Sequence, residues 1–144
     1  MIREAEKKDI ERMIIIEKDC DNNYLRWGKT GFLSEFEKEF SKTFVYEDNE
    51  SVVGFINFWE IGDEIEINTL AVLKSERRQG IGEKLIDFVI KRATELKSRR
   101  IILEVSSNNI PAISLYKKKF FQVYNVRKKY YDLKYDALLM ERRI

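Results

Sequence analysis

A single carboxylate interrupts an apolar stretch of this sequence. Residues 101–105 read IILEV, and Glu104 is the only charged residue among them. Alternate side chains of a strand share a face, so Glu104 shares one with Ile102. If helices cover both faces, Glu104 is partly desolvated; burial raises the pKa of a carboxyl group, which suits a general base near neutral pH. Alternatively, Glu104 lies at the open end of the strand, solvated or paired with a cation.

A second motif, RRQGIG, combines two arginines with two closely spaced glycines. Glycines let a backbone approach a ligand closely, and the helix predicted to follow presents N–H groups and a positive dipole end to an anion. The motif therefore predicts a pyrophosphate site. Alternatively, the glycines only form a tight turn and the arginines are solvated. The candidate residues are Arg77, Arg78, Gln79, Gly80, Ile81 and Gly82.

The residue types that are missing narrow the chemistry. The chain has no histidine and one cysteine, Cys20. The usual zinc sites, Ser-His and Cys-His pairs and an internal disulfide are thereby excluded, and Cys20 lacks a histidine to activate it as an acyl-carrying nucleophile. Chemistry must run on carboxylates, phenols, amines, hydroxyls or backbone groups, and we expect no metal.

Composition indicates one soluble domain over residues 1–144. Of 144 residues, 44% are hydrophobic and 36% charged, and no repeat or linker divides the chain. The amino terminus lacks an apolar signal region, and no run reaches the roughly 18 apolar residues of a membrane span. We expect a cytoplasmic protein without a membrane partner.

Hydrophobic periodicity places these motifs on an α+β arrangement with one mixed sheet, in the order βααβββαβαββ. A helix is expected from a cap at Asp9, and residues 19–31 are expected to form a loop. The remaining predicted elements are a strand near Ile2, a helix over Phe32–Phe40, strands over Thr43–Glu47, Ser51–Glu60 and Glu64–Val72, a helix over Gly82–Lys97, a strand over Arg100–Val105, a helix over Asn109–Tyr116, and strands over Phe121–Arg127 and Ala137–Arg142.

Four motifs together resemble the GNAT superfamily of acetyl-CoA-dependent N-acetyltransferases. They are Leu70-Ala71-Val72, the glycine motif, LEV at 103–105 and NNIPAISLY at 108–116. Within that superfamily the chain is most similar to RimI-type enzymes, which acetylate the amino-terminal alanine of a small-subunit ribosomal protein, and to archaeal N-terminal acetyltransferases. The resemblance is good over 51–144 and covers earlier residues only in outline. It implies a GNAT fold, a central mixed, mostly antiparallel sheet flanked by helices.

The resemblance also implies roles in direct acetyl transfer from acetyl-CoA to the α-amine of a protein, such as a ribosomal protein. Backbone groups of Leu70 and Val72 would pair with the pantetheine arm, and a strand N–H near one of these two residues would polarise the thioester carbonyl. Residues 77–82 would hold the pyrophosphate. Asn109 and Tyr116 would contact the cofactor near its sulfur. Glu104 corresponds to the proton acceptor and Tyr116 to the proton donor for the leaving thiolate.

Glu66 is a second candidate base, acting through water. It shares a strand face with Glu64 and Asn68, and related N-terminal acetyltransferases carry a substrate or proton-relay group on that strand. Alternatively, these three side chains form the polar outer face of an antiparallel strand.

Three aromatic residues are candidates for binding the acceptor. Tyr130 and Tyr131, with Asp136, Ala137 and Met140 after them, match a family ending that resembles a lid; alternatively they are strand-edge aromatics. Trp27 lies in the predicted loop, where Arg26-Trp27-Gly28 replaces the family's proline-tryptophan pair. The Tyr131–Asp136 loop is shorter than usual, and Phe120 replaces a glycine that ends the preceding helix, so a different helix exit is expected.

Two rival functions remain open at the sequence level. One is a GNAT enzyme acting on lysine, a polyamine or another small amine. The other is a module that binds RNA or the ribosome through basic clusters, although the many acidic residues weaken a phosphate-tracking surface. We expect no direct nucleic-acid partner. We expect instead that the basic clusters dock an acidic protein or the 3′-phosphate of coenzyme A. The protein is expected to be a monomer or a weak homodimer. The clusters are Arg77-Arg78, residues 97–100, residues 117–119 and residues 127–129.

Overall fold

The computed structural model describes residues 1–20, 26–131 and 133–144. Its element order confirms the predicted βααβββαβαββ sequence. The elements are β1 Ile2–Glu4, α1 Ile10–Asp19, α2 Gly28–Glu37, β2 Ser41–Asp48, β3 Ser51–Ile61, β4 Glu64–Val72, α3 Ile81–Glu95, β5 Arg100–Ser106, α4 Ile110–Lys118, β6 Gln122–Tyr131 and β7 Tyr135–Arg143.

One seven-stranded sheet runs in the order β1-β2-β3-β4-β5-β7-β6. Only β4 and β5 pair in parallel, because α3 connects them as a crossover, and the other neighbours are antiparallel. Residues of α1 and α2, such as Met13 and Phe32, pack with Phe55 on one face. Residues of α3 and α4, such as Leu85, pack with Ile101 on the other. Among the described residues, no helix is long and apolar enough to cross a membrane.

The parallel pair opens halfway along its length. Its pairing ends at Ile67 opposite Leu103. Beyond that point β4 continues along β3 as far as Val72, while β5 continues along β7 as far as Ser106. A bulge in β4 at Asn68 marks the place where the two strands diverge. The sheet therefore contains a cleft between the carboxyl ends of its two central strands.

The first two helices differ in detail from the prediction. Helix α2 begins at Gly28, inside the predicted loop, because the buried Glu17 carboxylate accepts hydrogen bonds from the N–H groups of Trp27 (3.1 Å) and Gly28 (2.9 Å). Asp9 does not cap α1 with its side chain; its carboxylate accepts from the Glu6 N–H and pairs with Arg3. Residues 21–25 of the predicted loop lie outside the described residues.

The last two strands are longer than predicted. Strand β6 extends to Tyr131 and β7 begins at Tyr135, where the sequence predicted a loop. The side chain of Asp136 supports this hairpin by accepting from the Lys129 N–H at 2.9 Å. Asp132, in the loop that was expected to be short, lies outside the described residues.

Helix α4 ends as a glycine-terminated helix would, although it has phenylalanine there. Phe120 adopts φ +67°, the Phe121 N–H donates to the Tyr116 carbonyl and the Phe120 N–H donates to the Lys117 carbonyl. This is a Schellman motif with Phe120 at the left-handed position. The expected change of helix exit is wrong, because the hydrogen-bonding pattern forces the conformation on a non-glycine residue.

The strain at Phe120 gives a stability prediction. Phe120→Gly should unfold with a free energy about 1 kcal/mol higher than Phe120→Ala, since only glycine adopts positive φ without a penalty from Cβ. Both variants lose the contact between the Phe120 ring and Arg142, so their difference isolates the backbone effect. Urea denaturation measures it, and equal stabilities would show that the backbone at Phe120 is unstrained.

Candidate active site

The cleft between β4 and β5 opens into a cavity of about 1120 Å³. Both diverging strands, the start of α3 and the helix α4 line it. Fourteen of the predicted site residues meet there, whereas Gln79 and Tyr130 lie outside its lining. The fourteen are Trp27, Glu66, Leu70, Ala71, Val72, Arg77, Arg78, Gly80, Ile81, Gly82, Glu104, Asn109, Tyr116 and Tyr131.

The glycine motif forms the turn into α3. Gly80 precedes the helix with φ +77°, and Arg78 also has positive φ, so the chain turns sharply before Ile81. The first N–H groups of α3 lack partners within the helix and suit an anion. Gln79 instead donates to Glu76, and the Arg77 guanidinium donates to the Val72 carbonyl at 3.2 Å.

Gly82 allows stability and ligand binding to be separated. A Cβ placed on Gly82 meets only Leu115 Cδ2, at an ordinary 3.5 Å, so Gly82→Ala should fold and gain up to about 1 kcal/mol from helix propensity. The added methyl group should still weaken acetyl-CoA binding about tenfold, because it narrows the approach to the N–H groups. Calorimetric titration and thermal melting measure the two effects.

The control for Gly82→Ala is Gly62→Ala, in the turn between β3 and β4. Gly62 has φ +59°, so alanine there should lower the melting temperature and leave the acetyl-CoA dissociation constant unchanged. Unaltered acetyl-CoA binding by Gly82→Ala would contradict a phosphate role for this turn.

Among the described residues, no strand pairs with the edge of β4 that faces the cleft, although the Val72 carbonyl there accepts from the Arg77 guanidinium. The Leu73 N–H donates to the Val53 carbonyl of β3. Successive residues of a strand direct their N–H and C=O groups to alternate sides. Leu70 and Val72 therefore direct theirs away from β3, toward the cleft. Because β5 does not pair with this part of β4, an extended ligand such as a pantetheine chain can add to the sheet edge.

The expected burial of Glu104 is wrong. It is the most exposed residue of β5, and its side chain retains 32% of its accessible surface. The reason is that α1 and α2 pack over β2, β3 and β4 and leave this part of β5 uncovered. Arg127 from β6 lies 3.9 Å from its carboxylate, a long, half-exposed ion pair. Glu104 nevertheless lines the cavity.

Desolvation acts on Glu66 instead. Burial, followed by the negative charges of Glu104 and Glu64, raises the pKa of Glu66 above its ordinary value. A carboxylate with a raised pKa is a stronger base. The cavity thus holds two carboxylates in different environments, Glu66 beside the α1–α2 layer and Glu104 near solvent.

Tyr116 and Asn109 enter the cavity from α4. Tyr116 is 7% exposed, and burial together with Tyr131 raises its pKa to about 12. Its phenol therefore stays protonated at neutral pH and can donate a proton. Asn109 caps α4 by accepting from the Ala112 N–H at 3.3 Å, so its position is fixed by the helix start.

The acceptor side is only partly as predicted. Trp27 and Tyr131 line the cavity, but Tyr130 is 53% exposed and lies outside its lining. Ala137 and Met140 are fully buried in the core, so they cannot form a lid. Met140 belongs to the core beneath α3 and α4, whereas Ala137, three positions away on the strand, lies on the opposite face of the sheet.

Three of the four basic clusters, those at residues 97–100, 117–119 and 127–129, form ion pairs with carboxylates. Lys119 bridges Glu83 and Asp87 of α3, and Lys118 also reaches Glu83. Arg100 is held between Glu64 and Glu141. Such pairing favours the interpretation of these clusters as solvated surfaces over a phosphate-tracking surface. Docking of an acidic partner or a 3′-phosphate by residues 117–119 stays a prediction.

Other residues of the cavity wall were not predicted, among them Glu35 of α2 and Trp59 of β3. No motif marks them, because they reach the cavity only through the packing of α2 on the sheet. One signal was present: Asn57 interrupts the apolar run of β3 and is fully buried. A buried amide requires hydrogen-bond partners, and these connect it to the site.

The structure combines a mixed sheet whose two central parallel strands diverge, a glycine turn at the start of α3 and a cavity lined by carboxylates. This combination suits a protein that binds an acyl carrier beside an amine. Residues 3–120 match the Acetyltransferase (GNAT) family, and the chain belongs to that family. Its members use acetyl-CoA, and the chain is an acetyl-transferring enzyme.

Relatives of known name agree with this assignment. An N-alpha-acetyltransferase of Sulfurisphaera tokodaii is 34% identical, covering 96% of this chain and 90% of its own. A Bacillus subtilis protein whose name assigns it alanine N-acetylation of ribosomal protein bS18 is 32% identical, covering 96% and 92%. The crystal structure of the ribosomal-protein-S18-alanine N-acetyltransferase from Escherichia coli matches with a TM-score of 0.91 and 26% identity, covering 100% and 93%.

Proposed function

We propose that this enzyme transfers acetyl from acetyl-CoA to the α-amine at the amino terminus of a protein. The observation that carries the proposal is the continuity of one cavity. The free edge of β4 and the glycine turn lie at one end, and Glu66 and Glu104 lie at the other. An acyl donor and an amine can therefore meet in a ternary complex.

The amino-terminal ammonium, of pKa about 7.7 to 8.0, first releases one proton to solvent, which leaves a neutral amine. The amine nitrogen then attacks the thioester carbon, whose oxygen is polarised by an N–H group of the β4 edge near Leu70 or Val72. As the amide forms, the nitrogen gives its second proton to Glu104 or, through water, to Glu66. The C–S bond breaks, and the Tyr116 phenol gives its proton to the departing thiolate.

The names of the relatives support a protein amino terminus as the acceptor, with alanine first in the ribosomal case. The carboxylates of the cavity support a cationic acceptor more generally. Glu35, Glu66 and Glu104 all line it, so a lysine side chain or a polyamine is the second candidate.

Matched peptides distinguish the two acceptors. One peptide begins with a free alanine and contains an internal lysine, and its partner differs only in a blocked amino terminus. Mass spectrometry after incubation with acetyl-CoA should show acetylation of the free amino terminus and none of the blocked peptide. Lysine acetylation in both peptides would favour the second candidate and overturn the proposed acceptor.

A further inference from the structure

A chain of side-chain hydrogen bonds links α2 to the bulge of β4. The Ser41 hydroxyl donates to Glu35 Oε1 (2.8 Å), the Asn57 amide NH₂ donates to Ser41 Oγ (2.9 Å), and the Asn68 amide NH₂ donates to Asn57 Oδ1 (3.0 Å). Asn57 is fully buried and Glu35 is 6% exposed. The chain therefore runs through the protein interior and ends at the cavity.

The direction of this chain is fixed at Glu35. Burial alone would raise the pKa of Glu35, but hydrogen bonds from Lys38, Trp59 and Ser41 outweigh it and hold the pKa below its ordinary value. An ionised carboxylate only accepts hydrogen bonds, so the single Ser41 hydroxyl proton is committed to it. Toward Asn57, Ser41 Oγ can then act only as a hydrogen-bond acceptor.

Because Ser41 Oγ can only accept from Asn57, the orientations of both asparagine amides are fixed. Asn57 must turn its NH₂ group to Ser41 and hence its carbonyl oxygen to Asn68. Asn68 must donate from its NH₂ group to the Asn57 carbonyl oxygen, so its own carbonyl oxygen points away from Asn57. The described residues donate no hydrogen bond to that oxygen, and Asn68 lines the cavity with Glu66 and Glu104.

Asn68 also occupies a special place on the strand. Thr69 pairs with Asn57 and Ile67 pairs with Phe58, which leaves Asn68 as the extra residue of the bulge. A bulge redirects a side chain out of the regular alternation of the strand. Here it lies between Glu66 and Leu70, at the point where β4 and β5 separate.

We propose that the Asn68 carbonyl oxygen accepts one N–H of the acceptor amine, and that the Glu35–Ser41–Asn57 chain holds it in that orientation. This inference rests on the proposed function, since it needs an amine in the cavity. A neutral amine has two N–H groups and one lone pair. If one N–H donates to a carboxylate base and the other donates to Asn68, the lone pair is free to attack the thioester carbon. A neutral oxygen orients the amine without favouring its charged form, as a carboxylate would.

Substitutions at Asn68 test the contact itself. Asn68→Ala should raise KM for the acceptor peptide about tenfold and leave the dissociation constant of acetyl-CoA unchanged. Asn68→Asp should stabilise the ammonium form, so the acidic limb of the kcat/KM profile should move to higher pH. An unaltered KM in Asn68→Ala together with an unmoved pH profile in Asn68→Asp would overturn the contact.

A matched pair at β2 tests the chain that orients Asn68. Ser41 and Thr43 both accept from the Asn57 NH₂ group at 2.9 Å, but only Ser41 is tied to Glu35. Ser41→Ala should therefore raise KM for the peptide about threefold or more, and Thr43→Ala should leave it near the wild-type value, at comparable melting temperatures. Equal KM values for the two variants would overturn the orienting role.

A double variant separates coupling from independent damage. If Ser41 acts through Asn68, Ser41→Ala combined with Asn68→Ala should be no worse than Asn68→Ala alone. Fully additive losses would overturn the orienting chain. A wild-type protein that binds acetyl-CoA and acetylates no amine would overturn the proposed function itself, whereas wild-type transfer with an indifferent Asn68 overturns this inference only.

Discussion

Glu104→Gln should lower kcat by about 10²- to 10⁴-fold and leave acetyl-CoA affinity unchanged. Glutamine keeps the size of the side chain but cannot take a proton from the amine. Because Glu104 is partly exposed on β5, the substitution should not disturb the fold. Single-turnover acetylation of a free-amine peptide, with acetyl-CoA binding measured by calorimetry, checks both parts.

The control for this experiment is Glu141→Gln. Glu141 lies on β7, the neighbour of β5, and pairs with Ile102 of β5, so it lies on the same sheet face as Glu104. It lies outside the cavity lining. The charge change is identical, and turnover should stay near the wild-type value. A comparable loss in Glu141→Gln would show that the sheet face, and not a proton acceptor, is responsible.

The pH profile decides between Glu104 and Glu66. Burial first, and then the charge of Glu104, raises the pKa of Glu66. Removing that charge in Glu104→Gln lowers the pKa of Glu66 toward its ordinary value. If Glu66 is the base, Glu104→Gln stays active and the acidic limb of its profile moves to lower pH; if Glu104 is the base, turnover is lost across the profile.

Tyr116→Phe should lower kcat by about a hundredfold or more at unchanged acetyl-CoA affinity. The substitution removes only the hydroxyl group, and the ring can keep its contact with Phe121, where the centroids are 5.7 Å apart. With a pKa of about 12 the phenol is protonated throughout the neutral range, so the loss should be the same from about pH 6 to pH 9.

Tyr124→Phe is the matched control for Tyr116→Phe. Tyr124 lies on the exposed strand β6, outside the cavity lining, so its hydroxyl group should contribute nothing to turnover. Full activity of Tyr116→Phe would contradict a phenol donor and assign protonation of the thiolate to water. Loss in both variants would indicate a general effect on stability, which thermal melting detects.

Local patterns in the sequence determined the element order and the glycine turn before α3. Helical and strand periods are properties of neighbouring residues, and the RRQGIG turn depends on the backbone freedom of Gly80 within a few residues. The family resemblance added the cofactor and candidate site residues. Thirteen of the fourteen that meet in one cavity lie on β4, on β5 or on the segments that follow these strands, and Trp27, just before α2, is the exception.

Tertiary structure alone decided the environments of the site residues. Glu104 and Glu66 are both carboxylates flanked by apolar residues on their strands, and only the placement of α1 over β4 makes one exposed and the other desolvated. The orientation of Asn68 likewise depends on Glu35, 33 positions earlier in the sequence (68 − 35). Burial and hydrogen-bond direction depend on residues that are distant in sequence, so no local pattern could reveal them.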